Sequence, residues 1–303
     1  MCDIEGQTIL VTDGAGFVGS HLADAVADQN DVIVADDLSA GQRGNVPDAA
    51  TFRSVDISQS GVLAELTKNV DIVFHQAAVV SVERSINRPM ACHDVNTDAT
   101  LSLLDLARER DFRVVLASSA AIYGHPDSLP IYETDSKAPL SPYGVDKLTI
   151  DHYARLYYEL YGVETVALRY FNIFGPRQRA GDYGGVISVF RRQALADDPI
   201  TIDGDGTQTR DFIHIDDVVS ANLRAAKTDH LGEAYNIGRG KQITIQTLAE
   251  LTRDAMDSDS DIVHTEPRPG DIDRSVADIS KARRDLDFDP GVSLKTGLRT
   301  FSS

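Results

Sequence analysis

Two side chains with acid–base character lie four residues apart in the stretch "PYGVDK" (142–147). This spacing places Tyr143 and Lys147 on one face of a helix. A phenol with an ordinary pKa of about 10 is a poor base at neutral pH, but a neighbouring ammonium group favours the phenolate and lowers that pKa. Ser119, at the end of an earlier apolar run, has a hydroxyl that can hydrogen-bond the substrate oxygen on which Tyr143 would act. Together these groups suit removal of a proton from an alcohol while hydride leaves its carbon. A Tyr-x-x-x-Lys pair alone is also a common surface pairing, so its meaning depends on context.

A glycine-rich stretch, "VTDGAGFVGS" (11–20), supplies that context. Its glycines fit the pattern G-x-G-x-x-G between a predicted strand and a predicted helix, which is typical of a dinucleotide-binding turn. Asp36 ends the next predicted strand. A carboxylate at that place accepts both ribose hydroxyls of NAD and repels the 2′-phosphate of NADP. Alternatively, Asp36 has no ligand-binding role and is a solvated residue at the end of a strand.

Asp13 stands in this turn where a dinucleotide-binding chain usually has glycine. Aspartate tolerates left-handed backbone better than most residues, so we expect the turn to form. Its charge lies close to the expected diphosphate, which should weaken binding unless salt screens the charge or the side chain points away.

Short apolar runs alternate with amphipathic stretches in the first half of the chain. Such runs are typical of strands in a parallel sheet that helices cover on both faces. Right-handed crossovers then produce a doubly wound α/β fold. The strands are predicted over 8–12, 31–37, 71–78, 113–119 and 163–170, and the helices over 17–29, 100–110 and 144–162.

The regular alternation of predicted strands and helices changes after about Phe171, where loops rich in Gly, Pro and Asp appear. We expect residues 1–171, with a returning segment near 212–237, to form the cofactor-binding domain. Residues 172–211 and 238–303 are expected to form a smaller α/β lobe that binds the substrate. Loops of that lobe would cover the carboxyl edge of the sheet, where such folds bind ligands.

The chain carries 47 acidic and 29 basic residues, a net charge of −18. Nucleic acid is therefore excluded as an expected partner, because a duplex would be repelled. Only seven of the basic residues are lysine. One interpretation is a surface that favours solubility. The other, which we prefer, is adaptation to a high-salt cytoplasm, where screening makes such repulsion tolerable.

The sequence contains neither a long apolar run nor a pattern typical of a secretory signal, so we expect no membrane partner. Its two cysteines, Cys2 and Cys92, are too few for a disulfide framework, which favours a reducing, cytoplasmic location. The eight histidines are scattered without the spacing of zinc ligands, so no metal site is predicted.

A series of short motifs runs in order along almost the whole chain. They are "DDLSAG" (36–41), "VDI" (55–57), "FHQAA" (74–78), "NTDAT" (96–100), "SSAAIYG" (118–124), "SPYGVDK" (141–147), "LRYFNIFGPRQ" (168–178), "GDGTQTRDFIHIDD" (204–217), "YNIG" (235–238) and "RPGD" (268–271). In this order they resemble the extended short-chain dehydrogenase/reductase family and, within it, the NAD-dependent nucleotide-sugar 4-epimerases. The resemblance implies a Rossmann domain and C4 inversion of a UDP-sugar through a 4-keto intermediate.

The resemblance also implies a role for each matching residue. The catalytic group would be Ser119, Tyr143 and Lys147. NAD would be bound by Gly14, Gly16, Phe17, Val18, Gly19, Asp36, Asp37, Ser39, Asp56, Ile57, Ala77 and Ala78, with Tyr143 and Lys147. The UDP-sugar would be bound by Ser81, Ser119, Asn172, Arg210, Arg268, Asp271 and Ser275. At the glycine-rich turn the family normally has Thr-Gly-Gly or Thr-Gly-Ala, and in this chain Asp13 replaces the first glycine. This difference bears on the strength of NAD binding.

Related reactions remain as alternatives. Dehydratases of the family carry an Asp-Glu pair beside the catalytic strand end, and decarboxylases tend to carry a Glu there, whereas this chain has Ala120 and Ala121. A UDP-glucuronate 4-epimerase stays open. An NAD-sensing regulator is less favoured because the catalytic group is present.

The small residue Ser275 is similar to the residue found at this place in family members that also accept N-acetyl sugars. Alternatively, Ser275 is a solvated strand residue, and other residues shape the sugar pocket.

A group of tyrosines occurs with helical spacing at 153, 157, 158 and 161. It is too rich in aromatic residues for a single buried stripe. Relatives dimerise by pairing this helix with the one near 100–110 into a four-helix bundle. The resemblance therefore implies a homodimer built from helices near 100–110 and 144–162.

Overall fold

A computed structural model of the chain describes residues 4–179, 185–268 and 270–301. The strands are β1 (Thr8–Thr12), β2 (Asp31–Asp36), β3 (Thr51–Ser54), β4 (Ile72–His75), β5 (Arg113–Ser119), β6 (Thr165–Tyr170), β7 (Asn172–Phe174), β8 (Ile200–Asp203), β9 (Thr209–His214), β10 (Glu233–Ile237), β11 (Gln242–Thr244) and β12 (Ile262–Thr265). The helices are α1 (Phe17–Val26), α2 (Val62–Leu66), α3 (Val82–Asn87), α4 (Pro89–His93), α5 (Ala99–Arg110), α6 (Pro142–Tyr161), α7 (Val186–Leu195), α8 (Ile215–Ala225), α9 (Ile245–Ala255), α10 (Ser280–Leu286) and α11 (Leu294–Thr300).

Seven of these strands form one parallel sheet in the order β10-β6-β5-β4-β1-β2-β3. This confirms the predicted doubly wound α/β class. The strand order reverses beside β1, whose neighbours are β2 on one side and β4 on the other. In open α/β sheets ligands bind outside the carboxyl ends of the strands at such a switch point. The glycine-rich turn follows β1 and therefore lies at that point.

Both faces of the sheet are buried, as continuous apolar strands require. Ile9 and Val11 of β1 face a core shared with α1, α8 and α10. Leu10, the residue between them, faces a second core shared with α5 and α6. This alternation within one strand follows from the two-residue period of side chains in a β-strand.

The smaller lobe has a three-stranded sheet in the order β11-β9-β7 and a separate pair of β12 and β8. Its core joins Phe174, Phe190, Leu248 and Leu298 from β7, α7, α9 and α11. The chain also returns from this lobe to the large domain. Helix α8 contributes to the core that contains α1, and β10 pairs with β6 at the edge of the large sheet.

Asp211 of β9 connects the returning chain to the C-terminal segment. Its buried carboxylate accepts hydrogen bonds from the backbone amides of Arg239 (2.9 Å), Gly240 (2.9 Å) and Ala277 (3.2 Å). Burial raises the pKa of this carboxyl to about 6, although the three amides act in the opposite direction. The contacts tie β9 to two later parts of the chain, so the two lobes interleave.

Several elements end earlier than the sequence pattern predicts. The strand predicted over 71–78 ends at His75, because the amides of Gln76 and Ala77 donate to the Thr12 hydroxyl (both 3.1 Å) instead of to a neighbouring strand. The helix predicted over 17–29 ends at Val26, whose carbonyl accepts a hydrogen bond from the Asn30 side chain at 2.8 Å. Side-chain hydrogen bonds of this kind compete with regular structure.

Candidate active site

Ser119, Tyr143 and Lys147 come together at the carboxyl edge of the large sheet. Ser119 is the last residue of β5, and Tyr143 lies in the first turn of α6. That helix begins at this place because Ser141 caps it, accepting the Gly144 amide at 3.1 Å, and Pro142 suits the first helical position. Ser119 and Tyr143 share a side-chain hydrogen bond. The predicted catalytic side chains are therefore neighbours.

Lys147 lies one helical turn further along α6 and is buried. Its Nζ donates to the carbonyl oxygen of Ala117 at 2.6 Å and lies 6.0 Å from the centroid of the Tyr143 ring. Burial lowers the pKa of Lys147 to about 8, although Asp146 and Asp13 favour its charged form. The ammonium group therefore remains charged at neutral pH beside the phenol.

The sequence-based expectation for the pKa of Tyr143 was wrong in its direction. Burial raises this pKa above its ordinary value, and the hydrogen bond with Ser119 only partly opposes the effect. Because the Lys147 ammonium donates to the Ala117 carbonyl, its nearest partner is backbone and not the phenol oxygen. Tyr143 is thus protonated at neutral pH in this arrangement.

The glycine-rich turn is closely packed, and each glycine is surrounded. A Cβ on Gly14 would lie 2.7 Å from Val34 Cγ1, and one on Gly19 would lie 2.2 Å from the Asp13 carbonyl oxygen. Asp36 fixes the turn from the end of β2: its Oδ2 accepts the Ala15 amide at 3.0 Å, and its Oδ1 accepts the Leu38 amide at 2.7 Å. Sequence reasoning gave Asp36 a role toward ribose only; its backbone contacts show that it also holds the turn.

Two adjoining cavities open along this edge of the sheet. The larger, about 450 Å³, is lined by Gly16, Phe17, Val18, Ser39, Ala78, Ser119, Tyr143 and Lys147 among the predicted residues. The smaller, about 330 Å³, is lined by Asp36, Asp37, Ser39, Asp56, Ile57, Ala77 and Ala78 among them. The pair forms an elongated cleft beside the glycine-rich turn, which fits a dinucleotide with one end in each cavity.

Sequence reasoning missed several residues that line the larger cavity. Arg177 is the most informative: its Nη2 pairs with Asp24 at 2.7 Å, while its buried Nη1 has no hydrogen-bond partner among the described residues. A guanidinium group beside a cavity suits a phosphate oxygen, which supports the fit to a dinucleotide. Gln76 and Tyr170 also line this cavity, and the Tyr170 hydroxyl donates to Gln76 Oε1 at 3.2 Å. Their positions at the ends of β4 and β6 are the signal that could have found them.

Ser119 lines the larger cavity, and the other predicted substrate residues make up a second group outside it. The side-chain amide of Asn172 donates to the carbonyl oxygen of Asp211 at 2.9 Å, and Ser275 is buried beside β9. Ser81 caps α3 by accepting the Arg84 amide at 3.1 Å. Arg210 pairs with Asp271 at 2.5 Å, and Arg268, largely exposed, pairs with Asp203 at 3.1 Å. Arg268 and Asp271 line a separate depression of the small lobe.

A buried ionic network lies behind the carboxyl end of β5. Arg169 of β6 binds both carboxylate oxygens of Asp151 on α6, with Nε–Oδ2 at 2.8 Å and Nη2–Oδ1 at 2.9 Å. The same carboxylate accepts the hydroxyl of Ser118 at 3.0 Å. The network therefore joins α6, which carries Tyr143 and Lys147, to the strand that carries Ser119.

No group of three or more His, Cys, Asp or Glu side chains able to hold a metal ion occurs in 4–179, 185–268 and 270–301. Within the same ranges, no helix is both long enough and apolar enough to cross a membrane. Cys92 is a buried free thiol, and Cys2 lies outside the described residues.

Comparison with known proteins gives concordant results. A family model described as "NAD dependent epimerase/dehydratase family" matches residues 9–238. A "Putative UDP-glucose 4-epimerase" of Methanocaldococcus jannaschii is 38% identical over 295 residues, with 96% of each chain covered.

Solved structures show the same similarity. The UDP-N-acetylglucosamine 4-epimerase from Methanobrevibacter ruminantium M1, in complex with UDP-N-acetylmuramic acid, is 36% identical and superposes with a TM-score of 0.95, covering 99% of this chain and 98% of its own. The UDP-glucose 4-epimerase of Thermotoga maritima with UDP-glucose is 35% identical, with a TM-score of 0.94 and 97% of both chains covered. The family resemblance read from the motifs is confirmed: the chain belongs to the NAD dependent epimerase/dehydratase family.

Proposed function

We propose that the protein inverts C4 of a UDP-sugar, with UDP-glucose and UDP-galactose, and their N-acetyl forms, as substrates. The arrangement of Ser119, Tyr143 and Lys147 at the wall of the larger cavity carries this proposal. A hydroxyl, a phenol and a buried ammonium group in contact with one cavity are the set that removes a proton from an alcohol.

Each of these side chains has a defined part in the proposed reaction. The phenol of Tyr143 first gives its proton to solvent; the resulting phenolate then takes the proton of the sugar 4-hydroxyl, and Ser119 binds the same oxygen. Lys147 keeps positive charge beside the phenol and stabilises the phenolate. Bound NAD would supply the redox chemistry, by accepting a hydride from C4 and returning it. The 4-keto sugar turns in the cavity between the two transfers, so the hydride arrives on the opposite face and the configuration at C4 is inverted.

The turn after β5 favours epimerisation over elimination of water. Ala120 and Ala121 follow Ser119 directly, and the Ala121 amide donates to the Ser119 hydroxyl at 3.1 Å. A 4,6-dehydration requires an acid to protonate the departing hydroxyl, and methyl side chains cannot supply one. The same two alanines leave no carboxyl for a decarboxylase of the kind with a glutamate at this place.

Product analysis tests the proposed reaction. The protein is purified in molar salt and incubated separately with UDP-glucose, UDP-N-acetylglucosamine and UDP-glucuronate, with NAD added. Proton NMR of the anomeric signals then follows each sugar. We expect galacto-configured products from the first two substrates. A 4-keto-6-deoxy sugar, a pentose from glucuronate, or no product from protein with bound NAD would each contradict the proposal.

We further propose that the second group of residues, Asn172, Arg210, Arg268 and Asp271 with Ser81, holds the nucleotide part of the substrate. Arg210 and Arg268 support this role because a guanidinium group binds phosphate oxygens through two parallel hydrogen bonds. Each arginine now pairs with an aspartate of the same lobe. Binding of UDP would exchange those carboxylates for phosphate.

The choice of sugar is expected to depend on Ser275. This small side chain is buried, and its amide donates to the Thr209 carbonyl at 3.1 Å, which fixes it against β9. A Ser275→Tyr variant should lose at least about tenfold in kcat/KM for UDP-N-acetylglucosamine, because the ring takes the space of the N-acetyl group, and keep activity toward UDP-glucose. Initial rates with both substrates measure this selectivity.

Ser275→Ala provides the matched control, since it removes the hydroxyl without adding volume. It should keep the selectivity of the natural protein. Equal losses toward both sugars in a Ser275→Tyr protein with unchanged thermal unfolding would show that the N-acetyl pocket is shaped by other residues.

We also propose that the protein is a homodimer through α5 and α6. Leu156, Leu160 and Tyr161 support this assembly, because they are large, exposed side chains on one helix. Tyr157 connects them to the core and stacks edge-on with Tyr161, with ring centroids 5.1 Å apart. Sedimentation velocity in molar salt measures the assembly, and a monomer at micromolar concentration would contradict it.

A further inference from the structure

Asp13 is held with its carboxylate over the second glycine of the turn. Its backbone has a φ of 54°, in the left-handed region, so the turn accommodates an aspartate as the sequence predicts. A Cβ on Gly16 would lie 2.3 Å from Asp13 Oδ2 and 2.6 Å from Oδ1. A glycine at this place lets a pyrophosphate approach the backbone. Here the carboxylate of Asp13 occupies the space that the missing side chain of Gly16 leaves.

Asp13 also lies where the two cavities meet. The residues that line both of them are Asp13, Ser39, Ala40 and Ala78. A dinucleotide with its nicotinamide end near Tyr143 and its adenosine end near Asp36 must pass its diphosphate along this shared wall. The carboxylate and the diphosphate are therefore expected to lie close together, where two ionised groups repel each other.

The surroundings of Asp13 favour its protonated form. Burial raises the pKa of this carboxyl well above its ordinary value, the charges of Asp36 and Asp37 at the end of β2 raise it further, and Lys147 of α6 opposes them. Two arginines from the loop after β7 line the larger cavity but have other contacts. Arg177 pairs with Asp24 at 2.7 Å through Nη2, while its Nη1 has no hydrogen-bond partner among the described residues. Arg179 donates to the carbonyl oxygen of Ala40 at 3.2 Å.

We infer that Asp13 contacts the diphosphate of NAD as a neutral carboxylic acid, so that cofactor binding takes up a proton from solvent. The proton joins one carboxylate oxygen of Asp13, and the resulting O–H group donates a hydrogen bond to a phosphate oxygen. A repulsive contact becomes an attractive one, and no other atom is transferred. NAD affinity then falls with rising pH, by up to about tenfold per pH unit once Asp13 is ionised in the free protein.

Calorimetry on the cofactor-free protein tests this inference independently of turnover. NAD is titrated at constant ionic strength in two buffers of different ionisation enthalpy, at a series of pH values from mildly acidic to mildly alkaline. The difference in heat between the buffers gives the number of protons taken up. We expect uptake that rises toward one proton per NAD as the pH increases.

Two variants separate Asp13 from Lys147, whose pKa of about 8 lies within the pH series. Asp13→Asn keeps the size, the tolerance of left-handed backbone and an N–H donor for phosphate, but it cannot ionise. Asp13→Gly restores the usual residue. Both should lose the proton uptake that belongs to Asp13 and keep any linkage that comes from Lys147. At alkaline pH both should bind NAD at least about tenfold more tightly than the natural protein.

Equal proton uptake in the natural protein and in Asp13→Asn would overturn the inference. So would NAD affinity that depends on salt and not on pH, because Asp13 would then stay ionised and be screened. If NAD remains bound through purification, equilibrium dialysis of the holoprotein against NAD-free buffer at each pH, followed by assay of the NAD retained, gives the same comparison. Thermal unfolding of each variant confirms that the turn is intact.

Discussion

Replacing Tyr143 by phenylalanine should lower turnover by about 10³-fold or more, while UDP and NAD still bind. The variant keeps the ring and loses only the oxygen that we propose accepts the substrate proton. It also loses the hydrogen bond with Ser119, but the half-buried ring keeps its place in the first turn of α6. Initial rates of C4 inversion, together with calorimetric titration of UDP, measure the two effects separately.

Tyr153→Phe is the matched control for this experiment. It makes the same chemical change on the same helix, at a ring that stacks against Tyr157 at a centroid distance of 6.3 Å outside the cavity. We expect it to leave the rate nearly unchanged. A Tyr143→Phe protein with substantial activity would show that another group takes the proton of the 4-hydroxyl.

Replacing Arg169 by methionine should reduce the free energy of unfolding by about 3–5 kcal/mol, because the buried Asp151 carboxylate loses its two-point partner and keeps only the longer contact with Arg155 Nε at 3.5 Å. Arg169 is 1% exposed and Asp151 is fully buried. The Arg169 Nη1 group also donates to the Tyr123 hydroxyl and to the carbonyl oxygen of Glu133, both at 2.9 Å, so these contacts are lost as well. Chemical unfolding in molar salt measures the change.

An exposed ion pair provides the control for this prediction. Arg283 and Asp289 lie 2.9 Å apart, and both side chains are mostly in solvent. Arg283→Met should therefore change stability by less than about 1 kcal/mol. Similar losses in the Arg169→Met and Arg283→Met proteins would show that the buried network adds no more than a surface pair.

The fold could be predicted from the sequence because the apolar patterns along the chain coincide with the strands and helices whose faces are buried. β1 and β5 have the predicted bounds, since each is a continuous apolar run between polar residues. The end of β4 could not be predicted, because it depends on the Thr12 hydroxyl, a contact that exists only after the strands are placed side by side. Strand ends set by such long-range hydrogen bonds have no local signal.

The site shows the same limit. Ser119, Tyr143 and Lys147 could be identified because their spacing and their place at element ends are local properties. The partnership of Arg169 with Asp151 depends on the packing of α6 against β6, and the orientation of Asp13 depends on how the turn closes beside Gly16. The pKa of Tyr143 was predicted in the wrong direction, because burial and the contact of Lys147 with Ala117 both arise from tertiary structure.

The return of the chain to the large sheet has a consequence for synthesis on the ribosome. When residues 1–171 have emerged, β6 has a free edge and the face of α1 toward α8 is uncovered, because α8 and β10 are still to be made. The domain that contains the glycine-rich turn completes its sheet only after residue 237 has left the exit tunnel. The nascent chain must therefore keep an apolar strand edge from pairing elsewhere while the first part of the smaller lobe, residues 172–211, is translated.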